Sequence, residues 1–207
     1  EALNSASLRA AWDRVIGDQA DVVQLCTWSD FSEGSTFVPS AKHGAALLEI
    51  SAWYAAKWKS GTTPTILRDA VYLIHRNQTL SASITGGQTV FMAKRTGGSR
   101  SALRNHVEVL SFLTAPADIT LKTGSTTYSF TAPAGMSSTT YAVEAGEQSV
   151  KAMRGAAEIA RVNSGVVVKT TAVNEDREYC WGSSLSGTAT QYDPTPSSPA
   201  PNVANYV

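Results

Sequence analysis

Charged side chains are scarce in this sequence. Asp, Glu, Lys and Arg make up 16% of the 207 residues, and acidic and basic residues balance to a formal net charge of zero. Globular domains ordinarily carry about 25% charged residues, and proteins that bind nucleic acid or anionic lipid show a basic excess. We therefore expect no nucleic acid and no membrane surface among the partners of this chain.

Cysteine, histidine and long apolar runs are also few. Two cysteines and three histidines are scattered without the spacing of a metal site, so we expect neither a metal nor a cofactor. No apolar run reaches the ~18 residues that span a bilayer. Cys26 lies in an apolar run, which favours a buried free thiol, although a disulfide with Cys180 stays open. Glu1 opens directly into a helical pattern without a signal peptide, which fits a mature or truncated N terminus.

The first part of the chain has the pattern helix, strand, loop, helix. Apolar positions follow a helical stripe over residues 3–17, and Gly17 is a natural stop. Residues 22–28 form a short apolar run without alternation, which is typical of a strand covered on both faces in a parallel sheet. After a polar loop, a second helical stripe runs over residues 45–58 and ends at Gly61. This order is typical of an α/β fold.

After residue 70 the sequence changes to short alternating runs separated by turn signals. Many short strands at intervals of roughly 8–12 residues predict an antiparallel β-sandwich. Alternation also fixes which side chains point inward, since a slip of one residue would expose every one of them. The residues expected to point inward are Val90, Met92, Val107, Val109, Ile119, Leu121, Val166 and Val168.

These two patterns divide the chain into an α/β unit at residues 1–65, an all-β sandwich at residues 66–190 and a Pro/Ser-rich tail at residues 191–207. A single strand between two helices leaves both of its edges unpaired, which is costly. The first unit is therefore incomplete on its own. We expect the chain to be a fragment, or the smaller product of a cleaved protein, whose other part supplies the missing strands.

Two carboxylates follow the predicted buried strand. Asp30 and Glu33 lie three residues apart, and in a (β/α) barrel the loops after the strands form the active-site face. One carboxyl there could protonate a glycosidic oxygen while the other activates water. Asp-x-x-Glu is also typical of a capping box on a short helix. On spacing alone, this structural interpretation is favoured.

The residues around the pair resemble a known family. Residues 22–35 contain a hydrophobic run followed by Thr-Trp-Ser-Asp-Phe-Ser-Glu-Gly, which resembles the last barrel strand of family 71 glycoside hydrolases. These enzymes are α-1,3-glucanases, also called mutanases. Residues 52–61 are similar to the family's exit from the barrel, and residues 110–121 are similar to its C-terminal sandwich. Ser29 and Phe31 replace the Asn and Tyr of the family pattern.

The resemblance implies the last strand and helices of a (β/α)8 barrel, followed by an antiparallel β-sandwich. It implies a secreted hydrolase that cleaves α-1,3-glucan with inversion, with Asp30 and Glu33 as the catalytic pair. The partners would be the polysaccharide substrate and the remaining N-terminal barrel polypeptide, and the isolated fragment can be inactive. A neutral surface rich in Ser and Thr is common in secreted carbohydrate-active proteins, which agrees with this interpretation.

Three further residues are candidates for substrate binding. Trp28 ends the predicted strand beside the pair, where it could stack on a sugar ring or cap the barrel core, and both alternatives stay open. Ser29 offers a shorter side chain and one donor where the family has an amide. His43 precedes the second helix; a substrate contact is possible, but a solvated loop histidine is favoured.

The sandwich has two alternative roles. It could be a non-catalytic carbohydrate-binding module, which would need exposed aromatic side chains on one face. The candidates are Tyr128, Phe130, Tyr141 and Trp181, of which Phe130 is expected to point inward. Alternatively, the sandwich is a structural module that braces the barrel, and this is the role that we favour.

Overall fold

The computed structural model describes residues 3–30, 36–89, 103–176 and 178–186. These residues form two helices and ten strands. The helices are α1 (Ala6–Gly17) and α2 (Ala46–Ser60). The strands are β1 (Ala70–Arg76), β2 (Gln78–Ile84), β3 (His106–Leu113), β4 (Ala117–Thr123), β5 (Thr126–Ala132), β6 (Gly135–Ala142), β7 (Gln148–Arg154), β8 (Ala157–Asn163), β9 (Lys169–Ala172) and β10 (Tyr179–Ser183).

Most of these strands belong to two antiparallel sheets of four strands. The first sheet has the order β10-β1-β3-β6, and the second sheet has the order β5-β4-β7-β8. Strands β2 and β9 form a separate parallel pair. The mostly β architecture after residue 70 is compatible with the β-sandwich that the alternating runs predict. The predicted tail at residues 191–207 lies outside the described residues.

The main hydrophobic core lies between the two sheets. Strand β4 alternates buried and exposed side chains, and its Ile119 and Leu121 pack against residues of β1 and β7. Burying each such aliphatic side chain stabilises the fold by about 1.5–3 kcal/mol. The predicted inward residues Val107, Val109, Ile119, Leu121, Val166 and Val168 are all at most 2% exposed, which confirms those positions. Val90 and Met92 lie outside the described residues.

A second core lies on the other face of the first sheet, where the helices pack. Strand β1 is buried along its whole length because its side chains alternate between two partners. Val71 and Leu73 face the second sheet, whereas Tyr72 and Ile74 belong to the helix-side cluster. Trp12 of α1 belongs to the same cluster, as the helical stripe predicts. The described residues therefore stack as a helical layer, the first sheet and the second sheet.

Residues 22–28, predicted to be a buried strand, form no strand in this structure. Val22 is 81% exposed and Trp28 is 59% exposed, and Cys26 is an exposed free cysteine rather than a buried one. The physical reason is that no described strand lies alongside to accept the backbone hydrogen bonds of a ladder. The segment is held at its start, where the indole N–H of Trp58 donates to the carbonyl of Ala20 at 2.8 Å.

A partly exposed ion pair joins the start of β1 to the end of β7. Asp69 accepts two hydrogen bonds from the guanidinium of Arg154, both at 2.9 Å. It also accepts the backbone N–H and the hydroxyl of Thr114, at 2.8 and 2.9 Å. The Arg154 hydrogen bonds are the main reason why the pKa of Asp69 is lowered to about 2. The carboxylate is thus fixed in its charged form at neutral pH.

We expect this ion pair to make stability depend on acid pH. A carboxyl whose folded-state pKa is depressed stabilises the fold above its unfolded-state pKa of about 3.9, and this contribution is lost as pH falls towards 2. The urea midpoint of Asp69→Asn should therefore lie below that of the wild type at pH 6, and the difference should shrink between pH 4 and pH 2. Asp118→Asn is the matched control, because Asp118 accepts a hydroxyl hydrogen bond from Thr131 on an exposed face of the second sheet. A pH-independent difference for Asp69→Asn would contradict the assignment.

Candidate functional site

The predicted site lies on a loop that closes on itself. The backbone N–H of Phe37 donates to the carbonyl of Thr27 at 2.9 Å, and that of Val38 donates to the carbonyl of Trp28 at 2.8 Å. The hydroxyl of Thr36 donates to the same Trp28 carbonyl at 2.7 Å. These bonds bring the two ends of the loop side by side. We call residues 27–38 the carboxylate loop.

The carboxylate loop is open to solvent at the predicted substrate-binding residues. Trp28 and Ser29 are exposed, and Asp30 is partly exposed in a segment without helical structure. A carboxyl in such a place is within reach of a solvent-borne substrate. Glu33 lies outside the described residues, so Asp30 is the member of the predicted pair that the structure positions.

His43 is buried, which makes the prediction of a solvated loop histidine wrong. The residue is 9% exposed, and burial lowers the pKa of its imidazole below the ordinary value. The reason lies in the tight turn around it: the N–H of Gly44 donates to the carbonyl of Ser40 at 2.8 Å, and the His43 carbonyl accepts the N–H of Ala46 at 3.0 Å as α2 begins. Its Nδ1 atom is buried without a hydrogen-bond partner in the described structure.

Lys42 ties this turn to the sandwich. Its carbonyl accepts the backbone N–H of Trp181, on β10, at 2.7 Å. Its ammonium contacts the carboxylates of Asp176, at 2.7 Å, and Glu178. Burial alone would lower the pKa of Lys42, but the hydrogen bonds and charges of the two carboxylates raise it above the ordinary value. The Lys42 side chain is therefore charged and forms ion pairs with both carboxylates, which links the turn to the sandwich.

Sequence reasoning missed this link because its partners are far apart in the chain. Lys42 and Asp176 are separated by 134 residues, and neither lies in a motif. A lysine in a polar loop is ordinarily a solvated side chain, and so is an aspartate before a short strand. The only sequence signal is that charged residues are scarce overall, which makes each ion pair between distant residues more informative.

The aromatic residues proposed as a sugar-binding platform are packing residues. Tyr128 stacks on Tyr141 with ring centroids 4.0 Å apart, and both rings pack with Phe130 against the core between the sheets. Trp181 is buried in the helix-side core. The inward direction expected for Phe130 is confirmed, and Tyr128 and Tyr141 also pack against this core, although both are only partly buried. These four side chains therefore give no support to a carbohydrate-binding face.

The part of the chain that the structure describes contains no group of side chains suited to binding a metal ion. No three His, Cys, Asp or Glu side chains come together there in a way that could hold a metal ion. Burial raises the pKa of the Cys180 thiol to about 12, so this cysteine is protonated at neutral pH. Neither of the two described helices combines the length and the apolar character that crossing a bilayer requires.

Comparisons with known proteins identify the family. The model of glycosyl hydrolase family 71 matches residues 5–191, which is most of the chain. A mutanase of Penicillium rubens is 26% identical over 192 residues, which cover 85% of this chain and 42% of the relative. The chain therefore spans less than half of the length of that relative. No solved structure matches the chain. The chain belongs to glycosyl hydrolase family 71, as the residues around Asp30 and Glu33 predict.

Proposed function

We propose that this chain is the C-terminal portion of a secreted enzyme that hydrolyses α-1,3-glucan with inversion. The observation that carries the proposal is the run Thr-Trp-Ser-Asp-Phe-Ser-Glu-Gly at residues 27–34, within a family 71 match that covers residues 5–191. The mutanase of Penicillium rubens supports the same substrate class by its name. Secretion agrees with the neutral, hydroxyl-rich composition.

The exposed segment at residues 22–28 supports a missing barrel as the partner. An apolar run such as this one is unfavourable in water, and covering Val22 alone would stabilise the protein by about 1.5–3 kcal/mol. The chain spans 42% of its relative, so the relative has ample polypeptide for further strands. In this proposal, residues 1–65 complete a (β/α)8 barrel, residues 66–190 form the sandwich, and residues 22–28 become a strand beside the N-terminal barrel polypeptide.

The proposed chemistry uses the carboxylate loop at the open end of that barrel. One of Asp30 and Glu33 serves as the general acid and the other as the general base, with a water between the sugar and the base. Inverting cleavage requires carboxyls about 6.5–9.5 Å apart, and residues three apart in a non-helical loop can reach that range. The exposed ring of Trp28 would stack on a sugar and Ser29 would bond a hydroxyl, whereas the side chain of His43 is too buried to reach the substrate.

The sandwich itself is proposed to brace the barrel rather than to bind sugar. Its first sheet packs against α1 and α2, Trp181 is buried, and Tyr128, Phe130 and Tyr141 are partly buried and pack against the core. A carbohydrate-binding module would need aromatic faces that meet solvent. The structural role is therefore the better-supported alternative for residues 66–190.

The stereochemistry of the products tests the proposed reaction. The full-length enzyme acting on α-1,3-glucan should release a β-anomeric reducing end, because a single displacement by water inverts the anomeric carbon. Proton NMR within the first minutes, before mutarotation, measures this. An α-anomeric initial product would refute inversion. Residues 1–207 alone should release no sugar, and hydrolysis by that fragment would refute the need for the remaining barrel polypeptide.

A further inference from the structure

The carboxylate loop is joined to the sandwich by a short connector, residues 39–45. At one end of the connector, Val38 closes the loop through its 2.8 Å hydrogen bond to Trp28. Four residues later, Lys42 contacts the sandwich through both its backbone and its ammonium. The Ser40–Gly44 turn, closed at 2.8 Å, leaves little freedom between these points. The position of the loop is thus coupled to that of Lys42.

The sandwich side of this contact is itself rigid. All five residues of β10 are buried, so the N–H that Trp181 gives to Lys42 comes from a fixed strand. Asp176 is held from a second direction, because the amide of Asn77 donates to its carboxylate at 2.8 Å and that of Gln78 donates to its carbonyl at 2.9 Å. Of the two carboxylates that Lys42 contacts, that of Asp176 is therefore also held by Asn77, whereas the Glu178 side chain is 39% exposed.

We infer that Lys42 is a positioning residue for glycan cleavage: by docking on Asp176 and Glu178 it holds the carboxylate loop in its productive place. This inference rests on the proposed function, because it takes Asp30 and Glu33 as the catalytic pair. It also gives the sandwich a specific task, since the two carboxylates that receive Lys42 directly precede β10. Catalytic groups displaced by about 1 Å can lose 10²-fold in rate, so a loosened connector has a large effect.

The test is Lys42→Met in the full-length enzyme. We expect kcat on α-1,3-glucan to fall roughly 10- to 100-fold, because the acid and base are misplaced, and KM to rise as well, because the sugar-binding residues Trp28 and Ser29 lie in the same loop. Lys42→Arg should retain most of the wild-type kcat, since its guanidinium can also pair with both carboxylates. Lys122→Met is the matched control: Lys122 pairs with Glu147 at 3.7 Å on the second sheet, away from the loop. It should leave kcat unchanged.

A triple variant separates positioning from stability. Lys42→Met leaves two unpaired carboxylates, so Asp176→Asn and Glu178→Gln are added to remove their repulsion. The melting temperature of the triple variant should return towards that of the wild type, while kcat stays low. Hydrogen exchange should show faster exchange at residues 36–45 and unchanged protection in β4 and β7. Recovery of kcat along with the melting temperature would overturn the inference, because Lys42 would then act through stability alone.

The two proposals fail in different ways. If Asp30→Asn keeps wild-type turnover, the proposed catalytic pair is wrong, whatever Lys42→Met does. If Asp30→Asn is inactive but Lys42→Met keeps wild-type kcat, the positioning role is wrong and the proposed function stands. Loss of kcat in both Lys42→Met and Lys122→Met would also refute the inference, because the effect would not depend on the connector.

Discussion

Replacing Asp30 with Asn, or Glu33 with Gln, is expected to lower the turnover of α-1,3-glucan by about 10²–10⁴-fold in each case. An amide keeps the shape of a carboxyl but can neither give up nor take up the proton that the reaction moves. Folding should survive, because Asp30 is partly exposed and contributes little to the packed cores. Reducing-sugar release by the purified full-length variants, measured beside thermal melting, checks both expectations.

The structural alternative for the pair predicts the reverse pattern. If Asp30 and Glu33 form a capping box, each substitution should leave turnover near normal and lower stability by about 1 kcal/mol. Asp21→Asn is the matched control, since Asp21 is an exposed acidic residue at the other end of the same segment. It should change neither quantity. If both amide variants turn over glucan like the wild type, the catalytic assignment has to be abandoned.

Burial is predicted best from the sequence where the local alternation of side chains alone decides whether a residue faces the core or solvent. Along β4, a period of two separates the core from solvent, so Ile119 and Leu121 are identified as buried without any knowledge of the partner strands. The same reasoning underestimates β1, which is buried on both faces. Its second face is covered by α1 and α2, and local alternation says nothing about an element that packs from elsewhere in the chain.

The sequence predicts least where the environment depends on distant or missing parts. Residues 22–28 carry the composition of a buried strand, yet a strand exists only when a neighbour completes its hydrogen bonds. The composition therefore indicates the structure that the segment favours, and no described strand lies beside it to complete a sheet. Lys42 shows the opposite case. It has the composition of a solvated side chain, and the fold supplies two carboxylates that only a tertiary contact can bring to it.

A buried carboxylate on β3 holds the first helix against the sandwich. Glu108 is fully buried and accepts hydrogen bonds from the backbone N–H and the hydroxyl of Ser5, both at 2.7 Å. Ser138 donates its hydroxyl at 2.6 Å, and the Arg9 guanidinium lies 3.2 Å away. Ser5 is the N-cap of α1, where backbone N–H groups lack helical partners and negative charge is favoured. A residue 103 positions away thus caps the helix.

Glu108→Ala is therefore expected to lower the free energy of unfolding by about 3–5 kcal/mol, the typical loss when one partner of a buried ion pair is removed. Glu108→Gln should cost less, because the amide oxygen still accepts one of the two hydrogen bonds that Ser5 donates, although the charge facing Arg9 is gone. Denaturant unfolding of the full-length protein measures both. Glu158→Ala is the control: its pair with Arg161 is solvent-exposed, so the loss should be much smaller than that of Glu108→Ala. Equal losses of unfolding free energy for Glu108→Ala and Glu158→Ala would show that the buried carboxylate does not hold α1. If Glu108 does hold α1, hydrogen exchange in Glu108→Ala should show the amides of α1 exchanging faster than those of β4.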